Sequence, residues 1–266
     1  MSSDLYFFFV LALAIKMAVT AGFVVLATVT AERVGPLVGG LVATLPLGAG
    51  PVYVFLALDH GADFIAQSAV GSLAINCVNV IFALCYALLA QRRSLFVSLA
   101  LALLVWFALA WGVNKIHWTV ASAALANLVV LPTCIALARP LRNVAIPPLR
   151  TYWYDLALRA TLVALLVGVT VTLSFHIGAS ASGILAVFPI ILISVMLILH
   201  RRVGGKPTAA VMANAVVGLV GFAVACIVLH YTAVPLGAAV GLLLALSMSV
   251  GWGLTVFAAR RRGFAV

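Results

Sequence analysis

Residues 5–30 read LYFFFVLALAIKMAVTAGFVVLATVT, an apolar run with a single charged residue, Lys16. A helix needs about 20 apolar residues to cross a bilayer, and this run is longer than that. The chain contains nine such runs: 5–30, 36–58, 64–90, 94–113, 118–138, 150–175, 179–200, 207–230 and 233–259. None alternates apolar and polar residues as the strands of a membrane barrel do. The sequence therefore predicts an all-α protein with nine transmembrane helices.

Composition points to the same class. Apolar residues make up 66% of the 266 residues and charged residues only 8%, and the mean hydropathy is +1.31. A soluble domain carries about 25% charged residues to cover its surface. Because the connections between the runs are short, the chain has no room for a separate soluble domain.

The basic residues predict the orientation in the membrane. With the N-terminus outside, twelve of them fall on the cytoplasmic side and only Lys115 falls outside, which fits the positive-inside rule. The twelve are Arg33, Arg92, Arg93, Arg139, Arg142, Arg150, Arg201, Arg202, Lys206, Arg260, Arg261 and Arg262. The net charge of +10 is then mostly a topology signal. It suits anionic lipid headgroups on the cytoplasmic face, and we expect no nucleic-acid partner.

The chain also contains an internal repeat with an offset of 143 residues. GPLVGGLVATLP (35–46) aligns with GASASGILAVFP (178–189), so that Gly40 matches Gly183 and Pro46 matches Pro189. In the same register Lys16 matches Arg159. Five predicted spans precede the second copy, and an odd number inverts it relative to the first. The expected organisation is 4+1+4: a first repeat at 1–114, a connecting helix and linker at 115–147, and an inverted second repeat at 148–266.

One copy of the repeat resembles the GlpM family of small bacterial inner-membrane proteins. The resemblance lies in Lys16, Gly40 and Pro46 with the spacing K–x23–G–x5–P, and in SGILAVFPIIL (182–192). The second copy departs from the pattern because Arg159 replaces the lysine. The resemblance implies a bacterial inner-membrane protein linked to envelope polysaccharide physiology, here as a fused inverted duplication, and it implies no defined biochemical activity.

Charged residues inside the spans are the strongest functional signals, because they are costly to insert and are usually functional. Lys16 has no acidic residue within its own span, and Asp155 lies one helical turn before Arg159. We expect Lys16 and Arg159 to converge and bind an anionic ligand, with Asp155 holding Arg159 when the site is empty. The alternative is that these residues are structural ion pairs or reach the interface along their aliphatic stems.

Pro46 and Pro189 fall near the middle of their spans, and each removes a backbone hydrogen bond. They predict either a simple kink or a broken helix whose half-ends face the membrane centre, as in inverted-repeat transporters. Gly40 and Gly183 belong to the same predicted hinges. The positive N-terminal end of a half-helix would favour an anion at the centre.

Asn76 and Asn214 are assigned to a predicted ligand cavity, although asparagine inside a span also serves as an interhelical hydrogen-bonding residue. The sequence holds no recognisable nucleotide, metalloprotease or Ser/His/Asp motif. We therefore expect no catalytic residues, no metal and no cofactor, and we do not expect an enzyme.

The function predicted is a small inverted-repeat transporter, or a facilitator of flipping, for an anionic solute or a lipid-linked intermediate. The alternative is a non-transporting accessory subunit of an envelope polysaccharide or lipid assembly system. In both cases the predicted location is the bacterial inner membrane, with the N-terminus outside and the C-terminus cytoplasmic. The expected partners are the bilayer and a small anion, and the sequence leaves oligomerisation open.

The predicted orientation can be tested with reporter fusions. A fluorescent protein fused after Val266 should fluoresce, and alkaline phosphatase fused at the same position should be inactive, because the phosphatase matures only outside the cytoplasm. Phosphatase fused after Lys115 is the matched control and should be active. Phosphatase activity at Val266 would contradict the nine-span inverted arrangement.

Overall fold

The computed structural model describes residues 3–33, 48–142, 144 and 152–262. This part of the chain is built from α-helices, joined by short turns and one 3-10 turn at Arg139–Leu141. In chain order they are α1 Ser3–Arg33, α2 Ala49–Asp59, α3 Ala62–Leu89, α4 Leu95–Asn114, α5 Val120–Ala138, α6 Trp153–Ala186, α7 Ile190–Val203, α8 Gly205–Leu236 and α9 Ala238–Arg261. The predicted all-α class is confirmed for these residues.

Seven segments of the described chain are long and apolar enough to cross a membrane, with α6 and α7 counted as one segment, Trp153–Val203. The number of nine transmembrane helices stays a prediction, because the first half of the predicted run 36–58 lies outside the described residues. Its second half is α2, which has only 11 residues and is too short to span alone.

The chain turns without a loop at three glycines with left-handed backbone angles, Gly178, Gly204 and Gly237. Gly178 has φ 78° and ψ 172°, which divides α6 into a long helix ending near residue 177 and a short helix, residues 179–186. Gly204 has φ 82° and lets α8 begin directly after α7. Glycine adopts this region without the steric cost that a Cβ imposes.

Helix α3 is the centre of the bundle. Of its most apolar stretch, 78% is buried inside the protein, against 11% for α1 and 17% for α9. The helices α6 and α8 pack against α3 over long interfaces, while α1, α4, α5 and α9 expose large apolar side chains such as Phe8, Leu104, Leu128 and Leu243. An exposed apolar surface of this extent suits a lipid environment, so the described part has the burial pattern of a helical membrane protein.

The two ends of the bundle differ in charge. At one end, which we call the acidic end, lie Asp59 and Asp63, and His60 contacts Ser174 of α6 at 2.8 Å. At the opposite end, which we call the basic end, Tyr86 of α3 contacts His200 at 2.7 Å. The basic end carries Arg92, Arg93, Arg201, Arg202 and Lys206.

The short helix 179–186 crosses α3 with the two backbones in contact. A Cβ on Gly183 would overlap the carbonyl oxygen of Ser68, and a Cβ on Gly71 would overlap that of Ser180. Both obstacles are backbone atoms, which cannot rotate away as a side chain can. The crossing therefore requires glycine on both helices.

We predict that Gly183→Ala destabilises the protein by about 1–3 kcal/mol, the usual cost of overpacking a core. Gly218→Ala is the matched control, since nothing lies within 4 Å of a Cβ at that helical glycine; it should be neutral or slightly stabilising. The measurement is the thermal unfolding midpoint of purified protein in detergent. Equal midpoints for the two variants would mean that the close crossing does not support the fold.

Candidate functional site

The helix that follows the Gly178 turn is interrupted near its middle. The short helix 179–186 ends at Ala186, residues Val187–Pro189 are not helical, and α7 begins at Ile190. Pro189 is the residue immediately before α7 and has φ −74° and ψ 43°. The helix is therefore interrupted at this proline, and the predicted broken helix with half-ends facing the membrane centre stays a prediction.

Side chains of α3 satisfy carbonyl groups along this interrupted segment. Ser68 donates to the carbonyl of Ala179 at 2.9 Å, Ser72 to that of Gly183 at 2.7 Å, and Asn79 to that of Val187 at 2.8 Å. The acceptors are four residues apart, so they lie along one face of the segment. A carbonyl at membrane depth has no water to bond, and α3 supplies the missing donors.

Two aromatic residues hold these donors in place. The Ser72 hydroxyl gives its proton to Gly183, so in its 2.6 Å contact with Tyr53 it accepts from the phenol of α2. Trp106 of α4 donates from Nε1 to Asn79 Oδ1 at 2.7 Å, which fixes the orientation of that amide. Residues from α2, α3 and α4 thus form two short hydrogen-bond chains that end on the interrupted segment.

The two short helices α2 and α7 begin next to each other. A Cβ built on Gly48, the residue before α2, would lie 3.3 Å from Ile191 Cγ1 at the start of α7. We call this meeting point, Gly48–Ala49 with Val187–Ile191, the central junction. Each helix N-terminus carries about half a unit of positive charge, so the starts of α2 and α7 bring two positive partial charges together at this point.

An ion pair ties α1 to the last residue of α2. Lys16 Nζ lies 2.5 Å from Asp59 Oδ1 and 2.6 Å from Oδ2. The two side chains are only 18% and 16% exposed. Lys16 is therefore neutralised by an acid 43 residues away, which corrects the sequence argument that no acid in its own span meant an unpaired charge.

A second ion pair ties the start of α6 to the end of α7. Arg202 Nη2 donates to Asp155 Oδ1 at 2.6 Å, and the second carboxylate oxygen accepts from the backbone N–H of Tyr152 at 3.0 Å. The guanidinium also lies 4.7 Å from the ring centre of Tyr152 and 5.4 Å from that of Tyr154. Asp155 was expected to hold Arg159, and the structure gives it Arg202 as a partner.

The structure does not bring Lys16 and Arg159 together. Met17, beside Lys16, faces Gly168 of α6, and Gly168 lies nine residues from Arg159, about 13 Å along the helix. Arg159 is half-buried in the second turn of α6, towards the basic end. The two cations thus lie at different levels of the α1–α6 pair.

The asparagines occupy different environments. Asn76 is fully buried and donates to Asn127 Oδ1 at 2.8 Å and to the Leu219 carbonyl at 3.2 Å, while its own Oδ1 has no hydrogen-bond partner among the described residues. Asn214 is half-buried and donates to the carbonyl of Ala210 in its own helix. Gly40 and Pro46 lie outside the described residues.

Sequence reasoning missed Asp59 and Arg202 as site residues, because both sit at the ends of predicted spans, where a charged residue needs no partner within the membrane. The predicted repeat contained a signal for them, since the offset of 143 places Asp59 on Arg202. Sequence reasoning also missed Ser68, Ser72 and Asn79, because their role depends on which helix packs against them.

With this architecture the class of protein is a polytopic helical membrane protein. Comparison of the chain with family models, with curated proteins and with solved structures finds no match. The resemblance to the GlpM family therefore stays a prediction from the residues quoted above.

The ion pair at the acidic end can be tested with a double-mutant cycle. Lys16→Met and Asp59→Asn should each destabilise the protein, because each leaves the other charge without its partner in a poorly solvated position. The double variant should recover part of the loss, with a coupling energy of about 1–3 kcal/mol.

The measurement for this cycle is the free energy of unfolding in detergent micelles. Asp63→Asn is the control, since Asp63 is an exposed acid at the same end and should not couple to Lys16→Met. Additive effects of Lys16→Met and Asp59→Asn would show that the contact does not stabilise the fold.

Proposed function

We propose that the protein is a small inverted-repeat transporter that moves an anionic solute or a lipid-linked intermediate by alternating access. The observation that carries the proposal is the presence of two ion pairs, each fastening the end of one short helix to the first long helix of its half. They lie towards opposite ends of the bundle. In the proposed mechanism, each pair closes one entrance to the central junction.

The first support is the spacing of the helices. Helix α3 begins at Ala62 and α8 at Gly205, and α4 begins at Leu95 and α9 at Ala238. Both separations are 143 residues, the offset found in the sequence. The short helices α2 and α7 occupy corresponding places between a long first helix and a long third helix.

The second support is contact between equivalent residues. Asn76 donates to the carbonyl of Leu219, 143 residues away, and Gly48 lies against Ile191, also 143 residues away. Equivalent residues of two related halves can touch only next to the axis that relates them. Both contacts lie in the interior, and the central junction is one of them, as expected for a transporter site between inverted repeats.

The third support is the reversed polarity of the ion pairs. Asp59 and Arg202 are equivalent positions, yet one supplies the anion and the other the cation. Their partners Lys16 and Asp155 have the opposite charges, on the first helix of each half. An inverted copy places its helix end at the other membrane face, where the positive-inside rule favours arginine over aspartate.

The charge of the central junction favours an anionic ligand, because two helix N-termini meet there. In this proposal Lys16 and Asp155 act through their ion pairs, while Arg159, Asn76 and Asn214 stay predicted ligand contacts. The protein would reside in the bacterial inner membrane with its basic end in the cytoplasm, and would carry out no catalysis. The competing proposal is the accessory subunit, for which the ion pairs would be static braces.

Cysteine accessibility distinguishes a moving gate from a static brace. Two reporters are buried one turn from the ion pairs: Thr20→Cys beside Lys16 and Ile198→Cys beside Arg202. In a transporter, Asp59→Asn should open the acidic end, so labelling of Thr20→Cys by a membrane-impermeant thiol reagent should rise about tenfold or more. Because opening one end closes the other, labelling of Ile198→Cys from the basic end should fall.

Arg202→Gln should produce the reverse pair of changes. Asp63→Asn is the control charge variant, and protein with only the native cysteines gives the background. Asp59→Asn and Arg202→Gln could each raise cysteine labelling at their own end and leave labelling at the other end unchanged. In that case the ion pairs would be static braces, and the accessory-subunit proposal would be preferred.

A further inference from the structure

A cavity of about 570 Å³ opens at the basic end, where α3 ends and α8 begins. Its lining residues are Leu88, Gln91, Arg92 and Lys206. Volumes of about 300–1,000 Å³ are typical of small-molecule sites. The cavity is separate from the central junction and from both ion pairs.

The two cations that line the cavity are available to a ligand. Among the described side chains, the ion pairs are Lys16–Asp59 and Asp155–Arg202, so Arg92 and Lys206 make no ion pair there. Both side chains are exposed. Gln91 donates to the carbonyl of Ala87 at 3.2 Å, which leaves its amide oxygen and second N–H for other contacts.

The backbone around the cavity adds to this positive character. Helix α8 begins at Gly205, so its positive N-terminal end lies beside Lys206. The carbonyl of Leu89 in the last turn of α3 accepts from the N–H groups of Arg92 and Arg93 at 3.1 and 2.9 Å. The negative partial charge at the C-terminal end of α3 is thereby partly satisfied within the protein.

The cavity wall also has an apolar part. Leu88 is 52% exposed and lies within one turn of Gln91 and Arg92, at the end of a membrane-length helix. A basic cavity with an apolar edge at this depth matches the boundary between lipid headgroups and acyl chains.

We infer that this cavity binds a phosphate group, with Arg92 gripping two phosphate oxygens, Lys206 supplying a point charge and Gln91 a hydrogen bond. The phosphate belongs either to an anionic phospholipid, whose glycerol and acyl chains would lie along Leu88, or to a soluble phosphate ester. The inference does not rest on transport, since the site lies apart from the central junction.

The test uses the full-length protein in detergent and a fluorescent phosphatidylglycerol as the probe, with a fluorescent diacylglycerol as the phosphate-free comparison. A direct contact to phosphate is worth about tenfold or more in affinity. A nearby charge that only raises the surface potential is worth about fivefold. Arg92→Gln and Lys206→Gln should therefore each weaken phosphatidylglycerol binding at least tenfold.

Arg93→Gln is the matched control, because it removes the same charge one residue away from the cavity lining. It should weaken binding fivefold or less. Equal effects of all three substitutions, or none, would overturn the assignment, as would equal affinity for the diacylglycerol.

Competition identifies the source of the phosphate. If inorganic phosphate and glycerol 3-phosphate displace the probe only at concentrations 100-fold or more above those of unlabelled phosphatidylglycerol, the site binds a lipid headgroup. Displacement at concentrations similar to those of the lipid would assign it to a soluble phosphate ester. Failure of unlabelled phosphatidylglycerol itself to displace the probe would exclude a specific site.

Discussion

Backbone carbonyl groups inside a bilayer must find hydrogen-bond donors within the protein, and the broken segment 179–203 depends on this constraint. Ser68, Ser72 and Asn79 supply the donors from one face of α3. They reach the carbonyls because Gly71 and Gly183 let the two backbones touch. The interruption then places the start of α7 in the interior beside the start of α2. The close crossing therefore brings the donors of α3 within reach of the interruption and helps to position the central junction.

The ion pairs explain how the chain tolerates charge at depth. An isolated cation in a span costs several kcal/mol to insert. Lys16 does not incur this cost because Asp59, at the end of a short helix, forms an ion pair with it. A full-length helix would end at the membrane surface, whereas α2 is held by its last residue against α1. Arg202 and Asp155 repeat the arrangement with the charges exchanged and with two tyrosine rings around the guanidinium. Each of the two short helices is thus fastened at its end to a long helix by one ion pair.

The sequence was sufficient to predict the class of protein, because a run such as 64–90 is stable in a membrane only as a buried or lipid-facing helix. It also marked where the helix is interrupted, since Pro189 removes a hydrogen bond wherever it lies in a helix, but it left open whether the proline bends or breaks the helix. It did not identify the partners. Asp59 lies 43 residues from Lys16, and Arg202 lies 47 residues from Asp155, while the acid nearest to Arg159 in the sequence is Asp155. Which helices pack side by side determines such pairs, and apolar runs of similar composition carry little information on packing order. Residues 34–47, which hold Gly40 and Pro46, lie outside the described part.

The polar face of α3 has a consequence for biosynthesis. Ser72 and the carbonyl that it serves are 111 residues apart, so α3 emerges from the ribosome long before residue 183. At roughly 5–20 residues per second, the delay is about 5–20 s. During that time Ser68, Ser72, Asn76 and Asn79 lack their partners from the later half. Nascent α3 therefore has to be shielded from lipid, either inside the insertion machinery or by contact with the helices already released. The first half of this protein is therefore synthesised before the residues that satisfy the polar face of α3.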